Sequence, residues 1–195
     1  MDIVQRVKDI ILKPKETWAV IKTEQTTIKE LYTSYAVILA AIPPIASFIG
    51  LSLLGISMMG VYYRSPLGMG ISHAVVSYVL SMVGLYIVAQ VIDALAPSFG
   101  SQKNLVNAMK VAVFSWTPSW IAGILMILPV LSPIAVLISL YSLYVFYLGL
   151  PVLMDTPKDK ALGYFIITIV ISIVVFILIG TISRTLFGLG RMSWM

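Results

Sequence analysis

Residues 161–183 read ALGYFIITIVISIVVFILIGTIS, a run with no charged side chain that is long enough to decide what solvent this chain folds in. As an α-helix rising about 1.5 Å per residue it crosses a hydrocarbon layer of about 30 Å. Four more apolar runs lie upstream, at 33–56, 71–96, 111–128 and 133–154, and a single acid, Asp93, falls inside any of them. A closed barrel also satisfies its backbone in lipid, but it needs short segments of strict apolar/polar alternation, and these runs are continuous. The expected fold is therefore all-α: a polytopic membrane bundle of five transmembrane helices, preceded by an amphipathic helical segment.

Lys and Arg in short loops are retained on the cytoplasmic side, so their distribution gives the orientation. With the amino terminus inside, the inner segments carry Arg6, Lys8, Lys13, Lys15, Lys22, Lys29, Lys103, Lys110, Lys158 and Lys160, and the outer ones only Arg64, Arg184 and Arg191. That imbalance predicts a cytoplasmic amino terminus, and five crossings then place the carboxyl terminus outside. The expected divisions are 1–30 for the cytoplasmic helices, 31–187 for the five spans and 188–195 for a short outer tail. The net charge of +5 reads as topology and attraction to anionic lipid heads, because the cations are spread over inner loops and form no single face for nucleic acid. No cleavable leader is expected, since the first thirty residues are charged throughout and lack an apolar core. Zero cysteines exclude disulfides, thiolate metal sites and thiol catalysis.

Ahead of the first span, Ile3, Val4, Val7, Ile10 and Ile11 recur at helical spacing, while Asp2, Gln5, Arg6, Lys8 and Asp9 occupy the other side. This amphipathic helix should end near Leu12, because Pro14 restricts the residue before it and donates no backbone hydrogen bond. Pro14 then opens a second short helix to Thr23, with Trp18 and Ile21 on one side. Two placements fit the pattern: both helices lie among lipid headgroups, or they form a docking surface or a lid over the ends of the spans. Thr27-Ile28-Lys29-Glu30 has the form of a capping box at the start of the first span, and Thr156-Pro157-Lys158-Asp159 repeats it before the fifth. The short connection 128–133 makes the third and fourth spans antiparallel neighbours.

Several spans carry helix breakers. Pro43 and Pro44 deprive Leu39 and Ala40 of their helical partners near mid-span; Pro118 does so to Phe114, within Trp116-Thr117-Pro118-Ser119-Trp120, and Pro151 to Tyr147. Broken spans expose backbone to substrate in many transporters and are also ordinary kinks healed by neighbouring hydroxyls. The second span carries two polar stripes: His73, Ser77, Ser81 and Gly84 on one face, and Tyr86, Gln90 and Asp93 on the roughly opposite one. They read either as two half-paths for a proton or ion, or as small and hydroxylated residues at helix contacts. Asp93 sits near the carboxyl end of its helix, where an anion is disfavoured, so Lys103 or Lys110 is its expected partner. His73 has no second ligand nearby and predicts no metal site. In the fourth span, Ala135, Ser139, Ser142 and Gly149 form a small-residue line suited to close packing, beside Tyr141, Tyr144 and Tyr147, which need partners. Gly68-Met69-Gly70 is expected in an outer loop.

No nucleophile with a base, paired carboxylates, metal-ligand cluster or phosphate-cradling glycine loop is present in the sequence. No cofactor is expected, and an enzyme is the least supported class.

Several strings resemble the Yip family, five-span membrane proteins that interact with Rab-type GTPases. These are Pro14-Lys15-Glu16-Thr17-Trp18-Ala19-Val20-Ile21 before the first span, Ile42-Pro43-Pro44-Ile45 followed by Phe48-Ile49-Gly50 within it, Thr117-Pro118 in the third, and Leu148-Gly149-Leu150-Pro151 ending the fourth. The resemblance implies a cytosolic amino terminus, self-association and, in eukaryotic members, a role in Golgi-related traffic through small GTPases. Those relatives have a longer region ahead of the spans. About thirty residues here make the chain similar to a compact prokaryotic member in the plasma (inner) membrane. The family brings no catalytic or ligand-binding residues.

Two functional expectations follow. The first is a non-enzymatic protein that organises lipid, copies of itself or a cytosolic partner, with Ile3, Val7, Ile10, Ile11 and Trp18 as its surface contacts. The second is a small-solute or ion transporter built on Pro43, Pro44, Thr117 and Pro118 and on the polar second span. It requires an aqueous cavity lined by residues such as Ser77, Ser81, Gln90 or Thr117.

Overall fold

The computed structural model describes residues 2–58 and 61–189. Five helices long and apolar enough to cross a membrane run Ile28–Leu54, Leu67–Phe99, Leu105–Ile127, Pro129–Leu153 and from Lys158 onward, in a helix that continues to Leu189. Two short helices, α1 (Ile3–Leu12) and α2 (Pro14–Thr23), precede them with the bounds the sequence suggests. The protein is an all-α polytopic membrane bundle. A two-stranded antiparallel ribbon, β1 (Ile56–Met58) with β2 (Val61–Tyr63), joins the first two spans, with Ile56 opposite Tyr63. The expected first run ended inside this ribbon, at Ile56. Gly55, at φ 77° and ψ 174°, breaks the helix there, a positive φ that a residue without a side chain takes readily.

The near end of the bundle carries α1, α2 and the connections 100–104 and 154–157; the far end carries the ribbon and the turn at Leu128. Among the spans, the third is the structural centre: 61% of its apolar window is buried, against 17–28% for the others. It packs against the first, second and fourth spans. The outward faces of the others, such as Val75, Val79, Val170 and Ile177, stay exposed, as suits helices whose solvent is lipid.

The breaks have identifiable contacts. The first span turns at Ala40–Ala41 and restarts at Ile42, with the prolines in the opening turn of the new segment. Pro43 lies against Gly123 of the third span, where an added methyl would stand 2.6 Å from Pro43 Cγ. Further along, Gly50 meets the backbone of Met126 and Ile127. Tyr78 Oη donates to the Val37 carbonyl just before the break, at 2.9 Å. The kinks thus fit two glycine contacts that bring the far halves of the first and third spans close together. In the third span the helix breaks at Trp116 and restarts at Thr117.

The third and fourth spans are antiparallel neighbours, joined by a Ser119 Oγ to Ser142 Oγ bond of 2.8 Å and by Ser119 Oγ donating to the Ser139 carbonyl. The Thr27–Glu30 capping box is complete. Its expected repeat does not form: Thr156 Oγ1 instead pairs with Ser101 Oγ at 2.8 Å, tying the two near-end connections together. Gly68-Met69-Gly70 is helical rather than in a loop, because the second helix begins at Leu67. The tail segment 188–195 lies outside the described residues from 190 onward.

Candidate functional site

The amphipathic pattern of α1 and the Trp18/Ile21 face of α2 produce a helical hairpin wedged into the near end of the bundle. Asp2 caps α1 by accepting from the Val4 and Gln5 amides, Lys13 lies outside helical geometry (φ −136°, ψ 53°), and Pro14 starts α2. Ile10, Trp18 and Ile21 are fully buried. Ile3, Val7 and Ile11 are partly buried against the same core. Of the two placements open to the sequence, the structure takes packing on the bundle.

Trp18 is the anchor of α2. Its indole Nε1 donates to the Val145 carbonyl at 3.0 Å, and the ring lies on Gly149, where an added methyl would stand 2.8 Å from Cδ2 and nearer to two other ring atoms. The small-residue line of the fourth span thus receives Ser119 through Ser139 and Ser142, and Trp18 at Gly149. Val145 lies about eight residues from the end of its span at Leu153, so the anchor sits roughly 12 Å down the helix. Lys110, 3% exposed, donates through Nζ to the Ile21 carbonyl at 3.0 Å and the Glu24 carbonyl at 2.6 Å. A cation there satisfies carbonyls left open at the end of α2 and matches the negative end of its dipole. Lys22 pairs with Asp155 on the turn between the fourth and fifth spans.

Lys110 is therefore not the partner of Asp93, as the sequence suggested; the carbonyls closing α2 take it instead. Asp93 Oδ1 is buried without a hydrogen-bond partner among the described residues, and Lys103 is exposed.

α1 is held differently. Tyr141 Oη donates to the Ile11 carbonyl at 2.9 Å, and Arg6 pairs with Glu24 while lying 5.6 Å above the Phe114 ring. Below the hairpin, Tyr35 stacks edge-on against Phe114 and bonds Thr117 Oγ1 at 2.9 Å. Thr117 and Pro118 are thus buried structural elements beneath the wedge. Between α1, α2 and the start of the first span a cleft of about 820 Å³ stays open. It is floored by Phe114 and walled by charged residues that include Asp9, Glu16, Glu24, Glu30, Arg6 and Lys13.

The second-span residues are elsewhere. Ser77 and Ser81 donate to the Ala74 and Tyr78 carbonyls of their own helix, Gln90 donates to Tyr86, and His73 is exposed near the helix start. None of Ser77, Ser81, Gln90 and Thr117 lines the cleft. Sequence reading missed Tyr35, Phe114 and Lys110 as parts of this site. Lys110 left a signal, because a lone cation at the edge of an apolar run needs acceptors inside the fold.

A bundle of five spans with its own amino-terminal hairpin docked at one end defines an integral membrane protein of the polytopic helical class. The chain belongs to the Yip1 domain family: residues 8–179 match the Yip1 domain. It is similar to the inner membrane protein YohC of Escherichia coli K12, 26% identical over 181 residues that cover 91% of this chain and 93% of YohC. YohC of a second Escherichia coli strain, O6:H1, matches to the same extent. No solved structure matches the chain. The strings that carry the family resemblance meet in space: the Pro14–Ile21 string lies on Leu148-Gly149-Leu150-Pro151 through Trp18, and Pro43 lies on the third span.

Proposed function

We propose that this Yip1 family protein works in a prokaryotic inner membrane by association, with its amino terminus in the cytoplasm and its carboxyl terminus outside. In this reading the docked hairpin and its charged cleft form the surface that meets a cytosolic protein or a second copy of the chain. The observation that carries it is the cleft: its walls hold charged residues of both signs, it opens at the end where most of the Lys and Arg lie, and buried Phe114 and Leu31 are among the residues lining it. α2 is fastened to the spans by Trp18 and Lys110, so a partner bound at the cleft would bear directly on them. The inner-membrane assignment rests on the name given to YohC.

The test places a photo-crosslinking residue at Gln25, on the cleft wall, and at lipid-facing Val170 in native membranes. Protein adducts at Gln25 that are absent at Val170, and that disappear with Glu16→Lys, support association. Lipid adducts alone at both positions, together with solute flux from reconstituted vesicles, would refute it in favour of transport. A reporter fused to each terminus tests the orientation, and matching signals would overturn it.

A further inference from the structure

The two helices of the hairpin are fastened very unequally. α2 is tied to the spans by the Trp18 indole, by two bonds from buried Lys110 and by the Lys22–Asp155 pair, and it buries Trp18 and Ile21 completely. Hydrogen bonds from charged groups are the stronger kind, and the one from Lys110 to the Ile21 carbonyl is also buried. Among the described residues, α1 takes one hydrogen bond from the spans, Tyr141 to the Ile11 carbonyl, lays Arg6 over the Phe114 ring of the third span, and has one fully buried side chain, Ile10. Its ion pair, Arg6 with Glu24, is made to the segment just beyond α2 rather than to the bundle. A joint lies between the two helices, at Lys13, where the backbone leaves helical geometry.

The outward side of α1 already suits a bilayer surface. Val4 is 63% exposed and Leu12 74%, with Lys8 exposed between them. The face now inside, with Ile3, Val7, Ile10 and Ile11, belongs to a segment that carries Arg6, Lys8 and Lys13 against Asp2 and Asp9, an apolar side with a slight cationic excess that suits an anionic interface.

We propose that α1 is a releasable lid. It swings about Lys13 out of the bundle and onto an anionic membrane surface while α2 stays docked. Its departure removes the cleft wall formed by Asp2, Gln5, Arg6 and Asp9 and uncovers Phe114. The movement needs no protein partner, so it stands or falls separately from the association reading.

The test uses the full chain, whose lack of cysteine leaves any introduced thiol as the only label site. Spin labels at Val4→Cys and Lys158→Cys report α1 against the bundle; labels at Lys15→Cys and Lys158→Cys report α2. Distances are measured in vesicles of phosphatidylcholine and in vesicles containing phosphatidylglycerol. The first pair is expected to show a second, longer population that grows with phosphatidylglycerol, while the second pair keeps one distance in both. Tyr141→Phe removes one ordinary hydrogen bond and should raise the ratio of released to docked α1 about five-fold. Glu24→Gln, which frees Arg6, should act in the same direction, and the α2 pair reports that each variant is folded. A single unchanged distance for the Val4 pair, a second population indifferent to lipid charge and to both substitutions, or a joint shift of both pairs overturns the proposal.

Discussion

Gly149→Ala should destabilise the protein while Trp18 is present and cease to do so when it is absent. In the folded chain the new methyl would stand 2.8 Å from Trp18 Cδ2 and nearer still to two neighbouring ring atoms, whereas carbon atoms rest at about 3.5–4.0 Å. The ring would have to retreat by roughly 1 Å. It is fully buried and its Nε1 is held by the Val145 carbonyl, so neither a rotamer change nor a small shift is free. Overpacking of this kind costs about 1–3 kcal/mol. Trp18→Ala alone removes a buried ring and should cost about 3–5 kcal/mol. In that background the methyl enters the space the indole has left, and replacing a glycine inside a helix should add about 0.5–1 kcal/mol of stability. Unfolding free energies of the four proteins, measured by denaturing-detergent titration in mixed micelles, give the coupling directly. An equal cost of Gly149→Ala in both backgrounds would refute the docking of α2 on the fourth span.

Three further outcomes follow from the same contacts. Lys110→Met leaves the Ile21 and Glu24 carbonyls without their donor, at a cost of about 2 kcal/mol, so amide exchange across α2 should accelerate on the order of thirty-fold; unchanged protection would show that the lysine does not hold the hairpin. Gly50→Ala drives a methyl to 2.9 Å from the Ile127 carbonyl oxygen, nearer still to that of Met126, and should lower the thermal midpoint by several degrees, about 1–3 kcal/mol. Gly68→Ala, with nothing among the described residues within 4 Å of the added methyl, is the control and should cause no loss of stability. Thr27→Ala removes half of the capping box and should cost about 1 kcal/mol, visible as faster exchange in the first turn of the first span.

The five spans were legible because apolar run length is a direct readout of the solvent, and α1 and α2 because Pro14 marks their boundary. The placement of the hairpin was not. The same face of Ile3, Val7, Ile10 and Ile11 suits lipid or protein, and periodicity cannot tell one apolar surroundings from another. Gly149 was identified as a packing position, but its partner lies more than a hundred residues away in α2. Lys110 shows the limit most clearly: charge and helix position pointed to Asp93, while the carbonyls that claim the lysine belong to backbone, which sequence does not mark. The second-span hydroxyls form a stripe on paper, yet each bonds its own preceding turn, a local option open to serine in any helix.

The docking of the hairpin reverses the order of synthesis. The hydrogen bonds that fix Trp18 and Ile11 reach 127 and 130 residues along the chain. At about 5–20 residues per second, ribosomes need on the order of ten seconds to produce Tyr141 and Val145 after the hairpin has emerged. The first helices to be made are therefore among the last to find their native contacts, and through that interval their apolar faces must be sheltered elsewhere. Every newly made copy thus passes through a stage in which the wedge is out and the cleft has no floor.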